Sequence, residues 1–387
     1  MKSSSIRLGE IMATKLGSVD PSKHTAESFD LYSIPAFDLG QPEVVCGNEI
    51  GSSKQIVQPL DVLLSKIVPH IRRSWIVGRD RGRRLIGSGE WIVFRSERIV
   101  PDYLRQVLVS DPFHAKFMST VSGVGGSLLR ARPAHVANIE IPLPPLSEQR
   151  RLADVLDRAE ALRAKRRAAL AQLDTLTQAI FLDMFGDAGR LGWEHVELQQ
   201  LADLLTGYPF KSDDYVSGKN AINLCRGANV LPGRIDWKDL AQWPKTNAAS
   251  LAQFVLRPGD VVIAMDRPWI NEGFKIARIS ACDCPALLVQ RVTRMRGKNG
   301  AMTEFLYYSL LQPAFARHCR PTETTIPHIS PLEIRSYTIP LPPLPHQHEF
   351  ARRITAVEKL KSSHRASLAQ LDSLFAALQH RAFRGEL

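Results

Sequence analysis

The sequence predicts a mixed α/β (α+β) chain in which two globular domains alternate with two long helices, and three features carry that expectation. A block of 45 residues recurs without a gap at an offset of 198. Each copy opens a stretch of about 38 residues that lacks Pro and Gly and is rich in Ala, Leu, Gln and Arg, which is strong helix composition. The remaining stretches, 1–140 and about 187–338, are each the size of one domain and show strand-like and helix-like runs in the same order. A repeat of this kind fixes the architecture before any motif is weighed.

In the first stretch the apolar run Trp75-Ile76-Val77 is followed by a basic segment, 79–84, then by a strand at Trp91–Phe94 and a helix over 102–117. The second stretch offers a strand at Val261–Ala264, the segment 267–278, a strand at 287–289 and a helix over 304–315. Leu60-Asp61-Val62-Leu63-Leu64 and Gly259-Asp260-Val261-Val262-Ile263 occupy equivalent places, as do Tyr103-Leu104 and Phe305-Leu306. Each stretch closes in a loop of turn and hydroxyl residues, Ser122-Gly123-Val124-Gly125-Gly126-Ser127 or Thr322-Glu323-Thr324-Thr325.

The repeat itself begins at Ile141-Pro142-Leu143-Pro144-Pro145-Leu146, which returns letter for letter as Ile339-Pro340-Leu341-Pro342-Pro343-Leu344. Twenty of the 45 aligned positions are identical, among them Gln149 and Gln347, Glu160 and Glu358, and Phe185 and Phe383. The paired prolines hold the chain extended and set its entry into the helix, a rigid elbow. Ser147 is placed to cap the first helix and Pro345 to open the second, so the copies are expected to start by different devices.

Along the first helix apolar residues fall at Leu152, Leu156, Ala159, Leu162, Ala169, Leu173, Leu176 and Ile180; along the second at Phe350, Ile354, Val357, Leu360, Leu368, Leu371, Leu374 and Leu378. The alternating steps of three and four make a narrow seam of the coiled-coil kind, broken at Arg166 and at its equivalent His364. Those two either form a polar layer that fixes register or extend to solvent. The expected boundaries are 1–146, 147–186, 187–344 and 345–387.

Of 387 residues, 44% are apolar and 23% charged, which is globular composition and excludes wholesale disorder. Fifty Lys and Arg against 39 Asp and Glu leave a net charge of +11, which favours a polyanionic partner, nucleic acid or a membrane surface. MKSSSIRLGEIMATKLGS holds no apolar core of signal-peptide length, and no run reaches about 18 apolar residues, so a soluble cytoplasmic protein is expected. Five cysteines, odd in number and unevenly spaced, suit reduced thiols.

IPLPPLSEQ at 141–149, IPLPPLPHQ at 339–347, a long helix after each and the closing Arg381-Ala382-Phe383-Arg384-Gly385-Glu386-Leu387 together resemble the DNA specificity subunit of type I restriction-modification systems. The likeness covers essentially the whole chain. It implies that the globular parts are target-recognition domains, each reading one half of a bipartite double-stranded DNA target. It also implies that the helices pair antiparallel as a coiled coil. Two methyltransferase (modification) subunits and the restriction subunits are the implied protein partners. Adenine methylation from S-adenosylmethionine, and cleavage driven by ATP with Mg, belong on this reading to those partners, with no cofactor and no catalytic residue on this chain. The second copy departs from the first at Pro345-His346 for Ser147-Glu148 and at Arg384 for Gly186.

A helix of about 39 residues is roughly 58 Å long, the span of about 17 base pairs. The helix pair is thus expected to act as a ruler between half-sites. Phosphate contacts favour Lys and Arg, and base readout favours Arg on guanine and Asn or Gln on adenine. The candidates in the first domain are Arg79, Arg81, Arg83 and Arg84 around Gly82, the alternative being a solvated loop. In the second they are Arg267, Trp269, Asn271, Lys275 and Arg278, with Trp269 equally suited to the core. Arg130, Arg132, Arg320 and His328, beside the loops before the elbows, are further candidates. The run Arg163, Lys165, Arg166 and Arg167 either lines the DNA spacer or forms a solvated helix face.

A self-sufficient enzyme on DNA would carry a recognisable motif, and none convinces. There is no G-x-x-x-x-G-K-[ST] phosphate loop. Asp111-Pro112-Phe113 lacks the second proline of an amino-methyltransferase motif, and Gly123-Val124-Gly125-Gly126 joins no strand to a helix. Cys282-Asp283-Cys284 with His318-Cys319 matches zinc spacing poorly, so no metal is expected. The competing readings are a DNA methyltransferase or nuclease in its own right, and a coiled-coil adaptor without DNA specificity.

Overall fold

The computed structural model describes residues 4–122, 129–186, 192–247, 249–319 and 327–387. The chain divides into two compact units, and the divisions fall inside both long helices: one unit comprises 1–168 with 364–387, the other 169–363.

In the first unit five strands lie side by side in the order Ser18–Val19, Lys54–Ile56, Arg84–Gly87, Ser28–Tyr32 and Glu43–Cys46. A second sheet places Val62–Ser65 between Ser74–Ile76 and Trp91–Phe94. Every residue of Val62–Ser65 and Trp91–Phe94 is buried, which is why both read as unbroken runs in a strand covered on its two faces. The second unit has a four-stranded sheet ordered Ala202–Thr206, Val292–Gly297, Val261–Ala264 and Ile276–Arg278, and a three-stranded one ordered Gln242–Pro244, Ala221–Cys225 and Ala286–Leu288.

Each of the helices expected over 102–117 and 304–315 is in fact two. Pro101–Leu108 is followed by Asp111–Met118, and Thr303–Leu310 by Pro313–His318. Pro112 and Pro313 occupy first turns, where a missing N–H is harmless, and the Ser110 hydroxyl accepts from the N–H of Phe113 as an N-cap. These are restarts rather than kinks.

Three devices recur in the two units. A two-stranded antiparallel ladder receives the elbow, pairing Ile6 with Ile141 in one unit and Val196 with Ile339 in the other. A buried aspartate follows: Asp61 takes both Arg95 donors at 2.7 Å and the N–H of Gln58 at 2.8 Å, while Asp260 accepts from the Arg296 guanidinium and from the N–H of Arg257 at 2.8 Å. The third is a fully buried glutamine at the start of each long helix. Gln149 Oε1 accepts from the N–H of Val100 at 2.7 Å, and its Nε2 donates to the carbonyls of Arg98 and Pro144. Gln347 repeats all three bonds with Met302, Gly300 and Pro342.

The long helices run Leu146–Phe185 and Leu344–Ala382. Ser147 does not cap the first helix, since it already lies inside the first turn, whereas Pro345 does stand in the first turn of the second; in both copies the carbonyl of the last elbow proline, Pro145 or Pro343, accepts the N–H of Gln149 or Gln347. Within the first unit the beginning of one helix lies antiparallel to the end of the other, with Arg163 on Asp372 at 2.6 Å and Arg166 on His364 at 3.0 Å. Within the second, the Phe181 ring lies 5.6 Å from that of Phe350, and Lys361 is 2.9 Å from Asp174. Leu152 and Leu156 are buried in the core of the first unit and Phe350 and Ile354 in that of the second, while Leu173, Ile180, Leu371 and Leu378 are partly buried.

Leu162 and Leu360 are not in the seam; they are 51% and 52% exposed. After Ala159 and Val357 the inward face continues by a step of four to Arg163 and Lys361, then to Arg166 and His364. The step of three that would have brought the leucines inward does not occur. Arg166 and His364 form the polar layer. An arginine only donates, so His364 Nδ1 is the acceptor in this pair.

Candidate nucleic-acid interface

One junction is built twice. In the first unit the strand Val62–Ser65 runs on through Lys66 to Val68, and in the second Val261–Ala264 runs on through Met265 to Arg267. The N–H of Lys66 donates to the Glu90 carbonyl at 3.0 Å, and that of Met265 to the Arg291 carbonyl at 2.9 Å. From the other side the returning chain docks: Ala131 N–H on the Lys66 carbonyl, Ile329 N–H on the Met265 carbonyl. The central residues form isolated bridges, Ile67 with Arg130 and Asp266 with His328. Val68 and Arg267 then enter the left-handed region at φ 47° and 45°, where a β-branched valine is strained. Strain of this kind concentrates at functional sites and persists only where the surroundings enforce it.

The backbone is the same, and the side chains are not. In the first unit the junction's ion pair is Arg130 with Glu90 at 3.1 Å; in the second it is Arg291 with Asp266 at 3.8 Å. Arg132, close by, donates to the Ser122 hydroxyl at 2.8 Å. Arg320 and the loop residues 123–127 and 322–325 lie outside the described residues.

The basic segment 79–84 connects the two sheets of the first unit and splits into two kinds of arginine. Arg83 donates to the buried carboxylate of Asp30 at 2.6 Å, and Arg84 takes Glu27 in a two-pronged pair while lying 5.0 Å over the Phe29 ring. The Arg84 hydrogen bonds hold the Glu27 carboxyl below the usual carboxylate range. Arg79 and Arg81 are exposed, and neither has an ion pair among the described residues. Asp80 accepts the N–H of Gly82 at 2.7 Å, and Gly82 sits at φ 80°, so the turn that presents both guanidinium groups requires glycine.

In the second unit Trp269–Ile270 and Gly273–Phe274 form a hairpin whose tip carries the exposed Asn271. Trp269 stacks on Phe274 at 4.9 Å, and Phe274 packs against the buried Phe315, so the tryptophan belongs to the core. Arg278 is engaged with Glu304 at 2.8 Å. Lys275 is buried, and burial lowers its pKa despite the nearby Asp266 carboxylate. Arg267 and Asn271 are the exposed members of this set.

All five cysteines are free, and burial pushes the Cys225 thiol up to about 12. Among the described residues no group of three or more His, Cys, Asp or Glu is placed to hold a metal ion, and no helix is long and apolar enough to cross a membrane.

Residues 191–373 match the type I restriction modification DNA specificity domain. The chain is 28% identical over 269 residues to the type I restriction enzyme MjaVIII specificity subunit of Methanocaldococcus jannaschii, covering 65% of this chain and 62% of that one. It is 34% identical over 171 residues to the EcoAI specificity subunit of Escherichia coli, covering 44% and 28%. The chain is thus similar to the specificity subunits of type I restriction-modification systems. Its matches span less than two thirds of the length of these two relatives. The mixed α/β fold with two long helices is shared with a solved chain from the study of complex assembly and conformational transition of the type I R-M system, with a TM-score of 0.58, 23% identity and coverage of 99% and 98%. It is shared as well with the S subunit from M. genitalium, with a TM-score of 0.59, 11% identity and coverage of 98% and 96%.

The buried glutamines and the aspartate–arginine pairs of this chain escape a sequence reading, although a signal existed. Gln149 and Gln347 are identical at the repeat offset, and a polar residue kept beside a proline elbow invites the question of what it bonds. Asp61 and Asp260 align, but their arginine partners are 34 and 36 residues away, and nothing local links them.

Proposed function

We propose that this chain is the sequence-reading component of a type I restriction-modification complex. The globular part of each unit reads one half of a bipartite double-stranded DNA target, and the helix pair sets the unread spacer. The duplicated junction carries this reading: one backbone frame holds Val68, Glu90 and Arg130 in one unit and Arg267, Arg291 and His328 in the other. A frame that is kept while its side chains differ suits two readers of different half-sites. Arg79 and Arg81 in the first unit, and Arg267 and Asn271 in the second, are the groups free to reach DNA.

The helices also supply the recruiting surface. Leu162 and Leu374 in the first unit, and Leu176 and Leu360 in the second, are large apolar side chains left between 44% and 52% exposed, at positions related by the repeat. Two equivalent patches suit two copies of one modification subunit, with restriction subunits joining that assembly. Methyl transfer to adenine and ATP-driven cleavage then take place on those partners, in the cytoplasm, using S-adenosylmethionine, ATP and Mg that this chain does not bind.

The test is genome-wide mapping of adenine methylation in cells expressing this chain with its cognate modification subunit, against cells expressing that subunit alone. A bipartite motif that appears only with the chain is the expected result. Unchanged methylation from an intact purified complex overturns the reading and leaves a helical adaptor.

A further inference from the structure

The two buried glutamines do more than fill the core. Val100 and Met302 are the N-cap residues of the helices Pro101–Leu108 and Thr303–Leu310, and neither has a side chain able to cap. Gln149 and Gln347 reach across from the long helices and accept those two N–H groups, at 2.7 and 2.8 Å. The same amide nitrogen then donates to the carbonyl two residues before that N-cap, Arg98 or Gly300, and to that of the elbow proline, Pro144 or Pro342. One planar amide thus ties three segments: the domain's helix, the loop that delivers it, and the elbow that opens the long helix. Only a carboxamide of this length satisfies the site, which asks for one acceptor and two donors. A carboxylate would face two carbonyls, and a thioether would leave three buried polar groups unpaired. Both glutamines are wholly buried, so no water replaces the bonds.

We infer that Gln149 and Gln347 are positioning residues that fix the angle between each recognition domain and its long helix, and so hold the spacer of the bipartite target to a single length. This rests on the two-half-site reading above. The lever is short: a pivot of about 10° at the elbow moves a surface about 20 Å away by roughly 3.4 Å, one base-pair step. Neither glutamine touches DNA in this account. Their loss relaxes spacing and leaves the bases read in each half-site unchanged.

The experiment maps adenine methylation for the full chain in its complex with the modification subunit, for wild type, Gln149→Met, Gln347→Met and Asp61→Asn. Asp61→Asn removes the charge of a buried pair elsewhere in the unit that holds Gln149 and serves as the control for lost stability. The expected result is that each glutamine variant keeps both half-site sequences but methylates sites whose spacer is one base pair longer or shorter. The ratio of off-spacer to correct sites rises about tenfold, as about 1.4 kcal/mol of lost orientational preference gives. Asp61→Asn lowers methylation at every site in proportion and shifts no spacer. Glutamine variants that lose methylation uniformly, with the spacer unmoved at matched complex concentration, overturn the inference. A wild-type map without any chain-dependent bipartite motif overturns the underlying reading instead, and the two failures are distinct.

Discussion

The junction after Val62–Ser65 and the junction after Val261–Ala264 share four backbone hydrogen bonds, a bridge and a left-handed residue, yet hardly a side chain in common. The buried devices behave oppositely: aspartate for aspartate, arginine for arginine, glutamine for glutamine. The contrast separates what builds the frame from what the frame presents. Buried polar groups must be satisfied and so are held by their partners, whereas an exposed guanidinium in one copy can be a valine in the other at little energetic consequence.

The largest effect should come from the shared part. Asp61→Ala or Asp260→Ala strands a guanidinium and a backbone N–H, and each should destabilise its own unit by about 2–4 kcal/mol. Hydrogen exchange on the full chain checks this, with protection lost in the unit that carries the change. If only one of the two variants loosens its unit, the frames are not equivalent.

Next comes the division within 79–84. Replacing Arg79 and Arg81 together by Ala should leave stability nearly unchanged and lower the slope of log affinity against log salt by about 2. Arg83→Ala should do the reverse, leaving the buried Asp30 carboxylate unpaired at a loss of roughly 2 kcal/mol with little change in slope. Equal slopes for the two variants would dissolve the distinction between held and reaching arginines.

The strained residues sharpen the comparison further. Val68→Gly should stabilise the first unit by up to about 1 kcal/mol, because a left-handed valine is relieved, and should leave the first half-site as it was. Arg267→Gly relieves the same strain but removes an exposed cation, so the second half-site should become degenerate in a methylation map. Identical outcomes would mean that neither side chain reads.

The long-range order of this molecule was legible because an ungapped repeat does not depend on the details of packing. The elbow, both long helices and the strands Trp91–Phe94 and Val261–Ala264 follow from pattern alone. The mid-helix seam was not legible, since Leu162 and Leu360 look inward by period while Arg163 and Lys361 actually face the partner helix. Hydrophobicity ranks the leucines first, but ion pairs to Asp372, Asp174 and Glu358 satisfy the cations in their place. In the candidate interface, residue type singled out the arginines, and only the fold tells Arg83 and Arg84, spent on Asp30 and Glu27, from Arg79 and Arg81.

Lys275 gives the smallest and most diagnostic effect. Burial depresses its pKa in the folded chain, so between that value and the ordinary lysine value the unfolded chain holds more protons and stability rises with pH. Below the depressed pKa the lysine is charged in both states and the penalty stands in full. Lys275→Met should therefore raise the stability of the second unit at neutral pH, by under about 1 kcal/mol, and flatten the rise at alkaline pH. If Lys275 contacts a phosphate, the same variant weakens DNA binding and lowers the salt slope by about 1, as for any single cation. A variant that is more stable and binds with an unchanged slope assigns Lys275 to the frame, with Arg278, and leaves Arg267 and Asn271 to face the DNA.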